Sequence, residues 1–358
     1  MNALVIPAPG SVEVRHIGPP APGPTEALVR IEACGICGTT DRDIVAGTQA
    51  HHPAGSYPAV LGHEAVGVVI QVGSKVRKFH LGDRVTRPVA IWPGTTRDGL
   101  YSAWGGMAEF GIVRDTTGDN SAAADYTSQR QHVVPPELSL QDAVLSVSLS
   151  EVGSWMEKLG HLKGKSLVIG GTGFAACVMC QCAAAQGAAP IIAVGRTPRK
   201  FAWVAANGAT YTVPLDAHTP AAVRKITGGG GADWFLDAAG HQSVFEAGLE
   251  CLHPGGQCAI YGAPHGFAYR LPLGAVGGDF SVRYVSPQDD VYFPQATRRM
   301  IAGELNASRL LSHQWAGLES VAEALRAQAA GEVLKGLVYI NQSGAMPGGA
   351  EKDSANKF

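Results

Sequence analysis

The chain has 358 residues, 46% hydrophobic and 16% charged, a composition that buries a sizeable core and excludes a wholly disordered protein. With 28 basic against 30 acidic residues, no bulk attraction to nucleic acid or an anionic membrane is implied. Seven cysteines are too sparse for a disulfide scaffold, and 46 glycines with 22 prolines describe a turn-rich chain. No apolar run is long enough to span a bilayer, and the opening MNALVIPAPG lacks the pattern of a signal peptide. The expectation is a cytoplasmic protein that binds a small molecule, with neither nucleic acid nor membrane as partner.

The first 145 or so residues read as short strands between turns. Ala27–Glu32, Glu64–Val72 and Arg84–Thr86 are strand segments, the second rich in valine and isoleucine. Residues 93–130 are polar and glycine-rich without a clean period, and are expected to be loop with at most a helical turn. Near residue 145 the pattern changes. Strands are expected at Lys165–Ile169, Pro190–Val194, Thr210–Pro214, Ala232–Asp237 and Gln257–Tyr261. Helices are expected at Phe174–Gln186, Pro198–Asn207, Pro220–Thr227 and Ser243–Leu252. This alternation predicts an α/β fold with a parallel sheet covered on both faces. Beyond residue 290 the regularity fades into helices at Ala296–Leu305 and Leu318–Ala329, with a closing strand at Gly336–Ile340. The polar tail, residues 345–358, is expected to be disordered.

The segment Leu167–Ala176, LVIGGTGFAA, reads as strand, tight turn and helix start. Gly171, Thr172, Gly173, Phe174 and Ala175 would cradle a pyrophosphate on the positive helix N-terminus, the pattern of a dinucleotide site. An NAD site usually carries an acid at the end of the next strand, about 22 residues on, to hold the ribose hydroxyls. Gly195 stands there instead, followed by Arg196, Thr197, Arg199 and Lys200. A missing carboxylate and an available guanidinium favour a 2′-phosphate, hence NADP over NAD.

Cys37, His63 and Glu64 supply thiolate, imidazole and carboxylate, a zinc-compatible set with one place left for water or substrate. Cys34 and Cys37 lack the second pair that a structural zinc site needs. Cys177, Cys180 and Cys182, with Met179, read as packing residues of the helix behind the glycine loop.

The pieces Gly35-Ile36-Cys37-Gly38-Thr39, Gly62-His63-Glu64-Ala65-Val66-Gly67, Val72-Gly73, Gly82-Asp83-Arg84-Val85, Gly105-Gly106-Met107-Ala108-Glu109-Phe110 and the glycine loop follow one another in a recognisable order. In them the chain resembles the zinc-containing medium-chain alcohol and polyol dehydrogenases over residues 1–340 or so, and most nearly the glucose and aldose dehydrogenases. The resemblance implies a GroES-like, mainly β catalytic domain from both chain ends, at 1–148 and 293–344. A Rossmann doubly wound domain would occupy 149–292. It implies one catalytic zinc held by Cys37 and His63 with Glu64 at or beside it, and a homo-oligomer, dimer or tetramer. Thr39 would touch the substrate oxygen and start the proton's path, with His51 or His52 as a continuation.

Three departures from the pattern bear on these roles. No cysteine occurs in residues 91–105, where many relatives bind a structural zinc, so that lobe is expected to be absent. Thr40 stands between Thr39 and Asp41, leaving open whether Asp41 is the carboxylate that orients His63. Sugar-active relatives carry a glutamate about 24 residues before the first loop glycine, but counting back from Gly171 gives Val147. Glu151, one helical turn on, is the candidate fourth ligand, directly or through water. Trp92, Trp104 and Tyr101 are candidate walls of a sugar cleft, and Asp289 and Asp290 candidate hydroxyl partners. The implied reaction is hydride transfer between a sugar or polyol hydroxyl and NADP. A dehydrogenase of small non-sugar alcohols or aldehydes and a metal-free quinone or enone reductase are the alternatives.

Overall fold

A computed structural model describes residues 1–48, 56–117, 125–262 and 268–341. The expected tail, His51 and His52 lie outside the described residues. Strands β1 (Asn2–Ile6), β2 (Glu13–His16) and β3 (Glu26–Ile36) lead to helix α1 (Thr40–Ala46). Then come β4 (Ala59–Leu61), β5 (Ala65–Val72), β6 (Arg84–Thr86), β7 (Tyr101–Ala103) and β8 (Phe110–Arg114), followed by α2 (Tyr126–Gln129) and α3 (Leu140–Glu157). One sheet runs β2-β1-β4-β7, and β3 pairs with both β5 and β8 in another.

The second half alternates as the sequence predicts. It runs β9 (Leu167–Gly170), α4 (Phe174–Ala185), β10 (Ile191–Gly195), α5 (Phe201–Ala206), β11 (Tyr211–Pro214), α6 (Thr219–Ile226), β12 (Ala232–Asp237), α7 (Gln242–Glu250), β13 (Leu252–Ile260) and β14 (Ser281–Tyr284). These strands form one parallel sheet in the order β11-β10-β9-β12-β13-β14. The order reverses between β9 and β12, which opens a ligand crevice at their C-terminal ends. The glycine loop emerges there.

The chain then returns. Helix α8 (Asp289–Ile301) is followed by β15 (His313–Ala316), α9 (Val321–Ala329) and β16 (Gly336–Tyr339). β16 pairs antiparallel with β3, so both chain ends build the first sheet system. This is a GroES-like domain joined to a Rossmann domain.

One expectation about elements needs correction. Residues 93–130 are not plain loop: β7 and β8 lie within them, and β8 pairs with β3 along five residues from Glu26↔Arg114 to Arg30↔Phe110. Partners distant in sequence hold these strands, so local composition gives little sign of them. The domain boundary expected at residue 148 falls inside α3, a continuous helix whose faces are both buried, with Trp155 and Met156 wholly inside.

Candidate metal and cofactor site

Strand register brings the cluster together. Cys37 follows the last residue of β3, and Cys34 lies opposite Ala65, so His63 and Glu64, just before β5, fall beside it. Gly336 of β16 lies opposite Ile36 of β3, which delivers Lys335 to the same end. Gly35 leaves the space: a Cβ there would collide with the Glu64 carboxylate.

One ligand atom each from Cys37, His63 and Glu64 lie within 4.8 Å of one another, the one such group among the described residues. Asp41 Oδ1 lies 3.0 Å from His63 Nδ1, and Asp41 Oδ2 accepts the Cys37 N–H at 2.8 Å. The extra residue Thr40 thus opens α1, and Asp41, wholly buried in its first turn, is the carboxylate that meets the imidazole. That contact leaves Nε2 facing the cluster, 3.6 Å from Glu64 Oε1. The Thr40 N–H donates to Cys37 Sγ at 3.4 Å.

The electrostatics favour ionised ligands. Burial pushes the Cys37 thiol up, but the hydrogen bond and charge of His63 outweigh it and bring it below its usual value. Burial opposes charge on His63 as well, yet Asp41 and Cys37 hold the imidazole well above its usual value. Glu64 is buried too, and the Lys335 ammonium takes its carboxyl down to about 2.

Glu64 has two further partners that sequence reasoning missed. Ser148 Oγ donates to its Oε1 at 2.6 Å, and so does Lys335 Nζ at 2.6 Å. Lys335 also touches Oε2, but that oxygen is buried with no well-directed hydrogen bond. A soft thiolate, an oriented imidazole and an ionised carboxylate fit a zinc ion. The one sequence signal for Lys335 was a lysine inside the apolar run VLKGLVYI.

Glu151 lies outside the three-residue group. Its Oε1 accepts the Tyr261 hydroxyl at 3.0 Å, and burial with the nearby Asp289 charge raises its carboxyl. Thr39 caps α1 from an exposed position. Trp104 packs 6.1 Å from the His63 ring and lines a small cavity with His63 and Arg87. Trp92 sits elsewhere, under the Arg114 guanidinium and donating to Asp125, while Tyr101 is exposed. Asp289 is neither solvated nor free for hydroxyls, since Arg87 and Arg130 grip it.

At the crevice, Gly171 has φ +129°, a conformation glycine adopts freely, and α4 starts at Phe174. A Cβ on Gly173 would meet nothing within 4 Å, so the loop is open on that side. A Cβ on Gly195 would lie 2.5 Å from Thr172 Cγ2, so any larger residue at that strand end requires the Thr172 side chain to shift. Arg196 is exposed with no side-chain partner among the described residues. Arg199 donates to the Ala330 carbonyl at 3.1 Å, and Lys200 Nζ lies 5.5 Å from the Trp203 ring. Lys335 Nζ stands 4.7 Å from the Phe174 ring, between the cluster and the loop. Cys177, Cys180 and Cys182 are buried in α4, and burial raises all three thiols.

Two family models match the chain, the alcohol dehydrogenase GroES-like domain over residues 23–134 and the zinc-binding dehydrogenase over residues 176–276, together more than half of it. The chain belongs to the zinc-binding medium-chain dehydrogenase/reductase family. It is similar to L-threonine 3-dehydrogenase of Pyrococcus horikoshii, 27% identical across 94% of this chain and 97% of that protein. Sorbitol dehydrogenase of Ovis aries is 24% identical across 96% and 98%. Among solved structures, a putative zinc-binding dehydrogenase of Sinorhizobium meliloti bound to NADP superposes with a TM-score of 0.75. It is 25% identical and covers 94% of this chain and 98% of that one. The chain is thus an oxidoreductase of this family with a candidate catalytic metal site, and no helix among its described residues is long and apolar enough to cross a membrane.

Proposed function

We propose that the protein transfers a hydride between a sugar or polyol hydroxyl and NADP, with zinc held by Cys37, His63 and Glu64. The observation that carries this reading is the convergence of those three donors within 4.8 Å, with Lys335 touching both Glu64 and, at 4.7 Å, the Phe174 ring that opens α4. Zinc, when bound, supplies Lewis-acid polarisation of the substrate oxygen and lowers the alcohol's pKa. Asp41 fixes the imidazole so that its Nε2 serves the metal. Thr39 Oγ1 takes the proton from the substrate hydroxyl, and its exposed position gives that proton a way to water. Glu151, outside the three-donor group and accepting from Tyr261, reaches the metal through water in this reading. Gly171 to Ala175 receive the pyrophosphate, and Gly195 with Arg196 receives the 2′-phosphate, assisted by Thr197 and Lys200. A cytoplasmic homo-oligomer is part of the same reading, by analogy with the family.

The test is absorbance at 340 nm with metal-replete enzyme and NADP across aldoses, polyols and small alcohols. A rise with a sugar or polyol, much weaker with NAD, is expected; turnover confined to small alcohols overturns the substrate part. Cofactor choice has its own test. Arg196→Ala is expected to weaken NADPH binding by about 1.5–3 kcal/mol, the scale of a charge-assisted hydrogen bond, and to leave NADH binding nearly unchanged. Equal losses for both cofactors, measured by fluorescence titration, would assign Arg196 a structural role.

A further inference from the structure

Among the described residues, the non-glycine positions with positive φ are Arg87 at 53°, Asp98 at 51° and Trp104 at 70°. Two of the three, Arg87 and Trp104, line the cavity that abuts His63. Such backbone persists only where its surroundings enforce it, and it collects at functional sites. Here the enforcement is visible. The Arg87 N–H donates to the Ala65 carbonyl at 2.7 Å, and the Arg87 carbonyl accepts from Gln131 Nε2 at 2.9 Å. Ala65 is the residue after Glu64, so the start of β5, next to two of the metal donors, also holds the Arg87 backbone.

The side chain is equally constrained. The Arg87 guanidinium lies 5.9 Å from the Trp104 ring, whose other neighbours are His63 and, at 5.5 Å, Tyr126. Among the described residues its one hydrogen bond goes from Nη2 to Asp289 Oδ2 at 3.1 Å. Arg130 Nε takes the other oxygen of Asp289 at 3.0 Å. Two guanidiniums therefore share one buried carboxylate. Asp290, 3.7 Å from Arg130, stands further out at 24% exposure, and the Glu151 carboxyl is raised toward its neutral form by burial and by Asp289. Asp289 thus occupies one edge of the Arg87 guanidinium, and Arg87 lines the cavity that reaches His63.

We propose that Arg87 is a specificity-determining residue that receives a carboxylate on the substrate, so that the site takes hydroxy acids, including acidic polyols, in preference to neutral alcohols. Trp104 packs against the carbon skeleton between that carboxylate and the hydroxyl carbon. An Arg–carboxylate pair in a partly dry cavity suits this task, because the guanidinium keeps its charge and offers further N–H donors in a fixed plane. The inference rests on the dehydrogenase reading and, within it, favours carboxylate-bearing hydroxy compounds over the neutral sugars and polyols proposed above.

The test compares 2-, 3- and 4-hydroxybutyrate with the corresponding hydroxybutyramides, which share the skeleton and lack the charge, using metal-replete full-length enzyme with NADP and with NAD. At least one acid is expected to exceed its amide about tenfold or more in kcat/KM, mainly through KM. Arg87→Met is expected to collapse that ratio, and Arg87→Lys to keep part of it. Wild-type enzyme that uses the amides as well as the acids overturns the inference and leaves the dehydrogenase reading standing. Should none of these compounds turn over, tryptophan fluorescence titration with isobutyrate and isobutyramide gives a second readout. Binding of isobutyrate about tenfold tighter than isobutyramide, lost in Arg87→Met, supports the anion site; equal binding overturns it. If Arg87→Met does not fold, the wild-type ratios and Arg87→Lys still decide.

Discussion

Cys37→Ser is expected to lower turnover by about 10²- to 10⁴-fold, the several kcal/mol a Lewis acid contributes to charge stabilisation. Bound zinc, measured by atomic emission, should fall with it, while NADPH binding stays within about twofold. The reasoning is local. Serine offers a hydroxyl of far higher pKa than a thiol that His63 already draws below its usual value. The surrounding scaffold survives the exchange, because Asp41 grips the backbone N–H of residue 37 rather than its side chain. The glycine loop is built on β9 and α4 of the parallel sheet, independently of residue 37. Unchanged turnover, or loss of cofactor binding equal to the loss of zinc, would remove Cys37 from the metal site.

Much of the parallel sheet was legible because its signals are local. Ala232–Asp237 is a strand over that same span, and the α4 helix differs from expectation by one residue at its end. Regular alternation of apolar strands and helices survives any tertiary context. The helix α3 carries no such signature. Its apolar residues point all round, and Ser146, Ser148, Ser150 and Ser154 are buried with them, so no single face stands out. Three of those serines, Ser146, Ser150 and Ser154, satisfy their hydroxyls on the helix's own carbonyls, while Ser148 reaches Glu64, a contact 84 residues away.

At the site, sequence order sufficed for Cys37, His63 and Glu64, since motifs name residue types. Spacing alone left Asp41 ambiguous beside Thr40, and only the start of α1 decides which carboxylate meets His63. Arg87 gave no sign at all. Its role depends on a backbone conformation and on Asp289, 202 residues later.

Lys335→Met is expected to destabilise the metal-free protein by about 3–5 kcal/mol, the cost of leaving one member of a buried ion pair without its partner. Lys335 and Glu64 are both almost wholly buried, and without the ammonium only the Ser148 hydroxyl and the His63 ring, 3.6 Å away, face the carboxylate. The pH dependence weakens with it. In the native protein burial raises the Glu64 carboxyl, but Lys335 outweighs it and takes it to about 2, below its unfolded value. Glu64 therefore contributes stability above the unfolded pKa, near 4.5, and that stability is lost as pH falls toward 2. Without Lys335 the largest lowering cause is gone, so the folded pKa moves up toward or past the unfolded one: the loss of stability on acidification shrinks, and any contribution of opposite sign is read above pH 4.5 as pH rises. Urea unfolding at a series of pH values reads both effects. Zinc supplies the control: a cation bound at Glu64 replaces the missing ammonium, so added zinc should raise the melting temperature of Lys335→Met more than that of the native protein. An equal rise in both would mean that Glu64 belongs to Lys335 alone, and that Cys37 and His63 hold the metal without it.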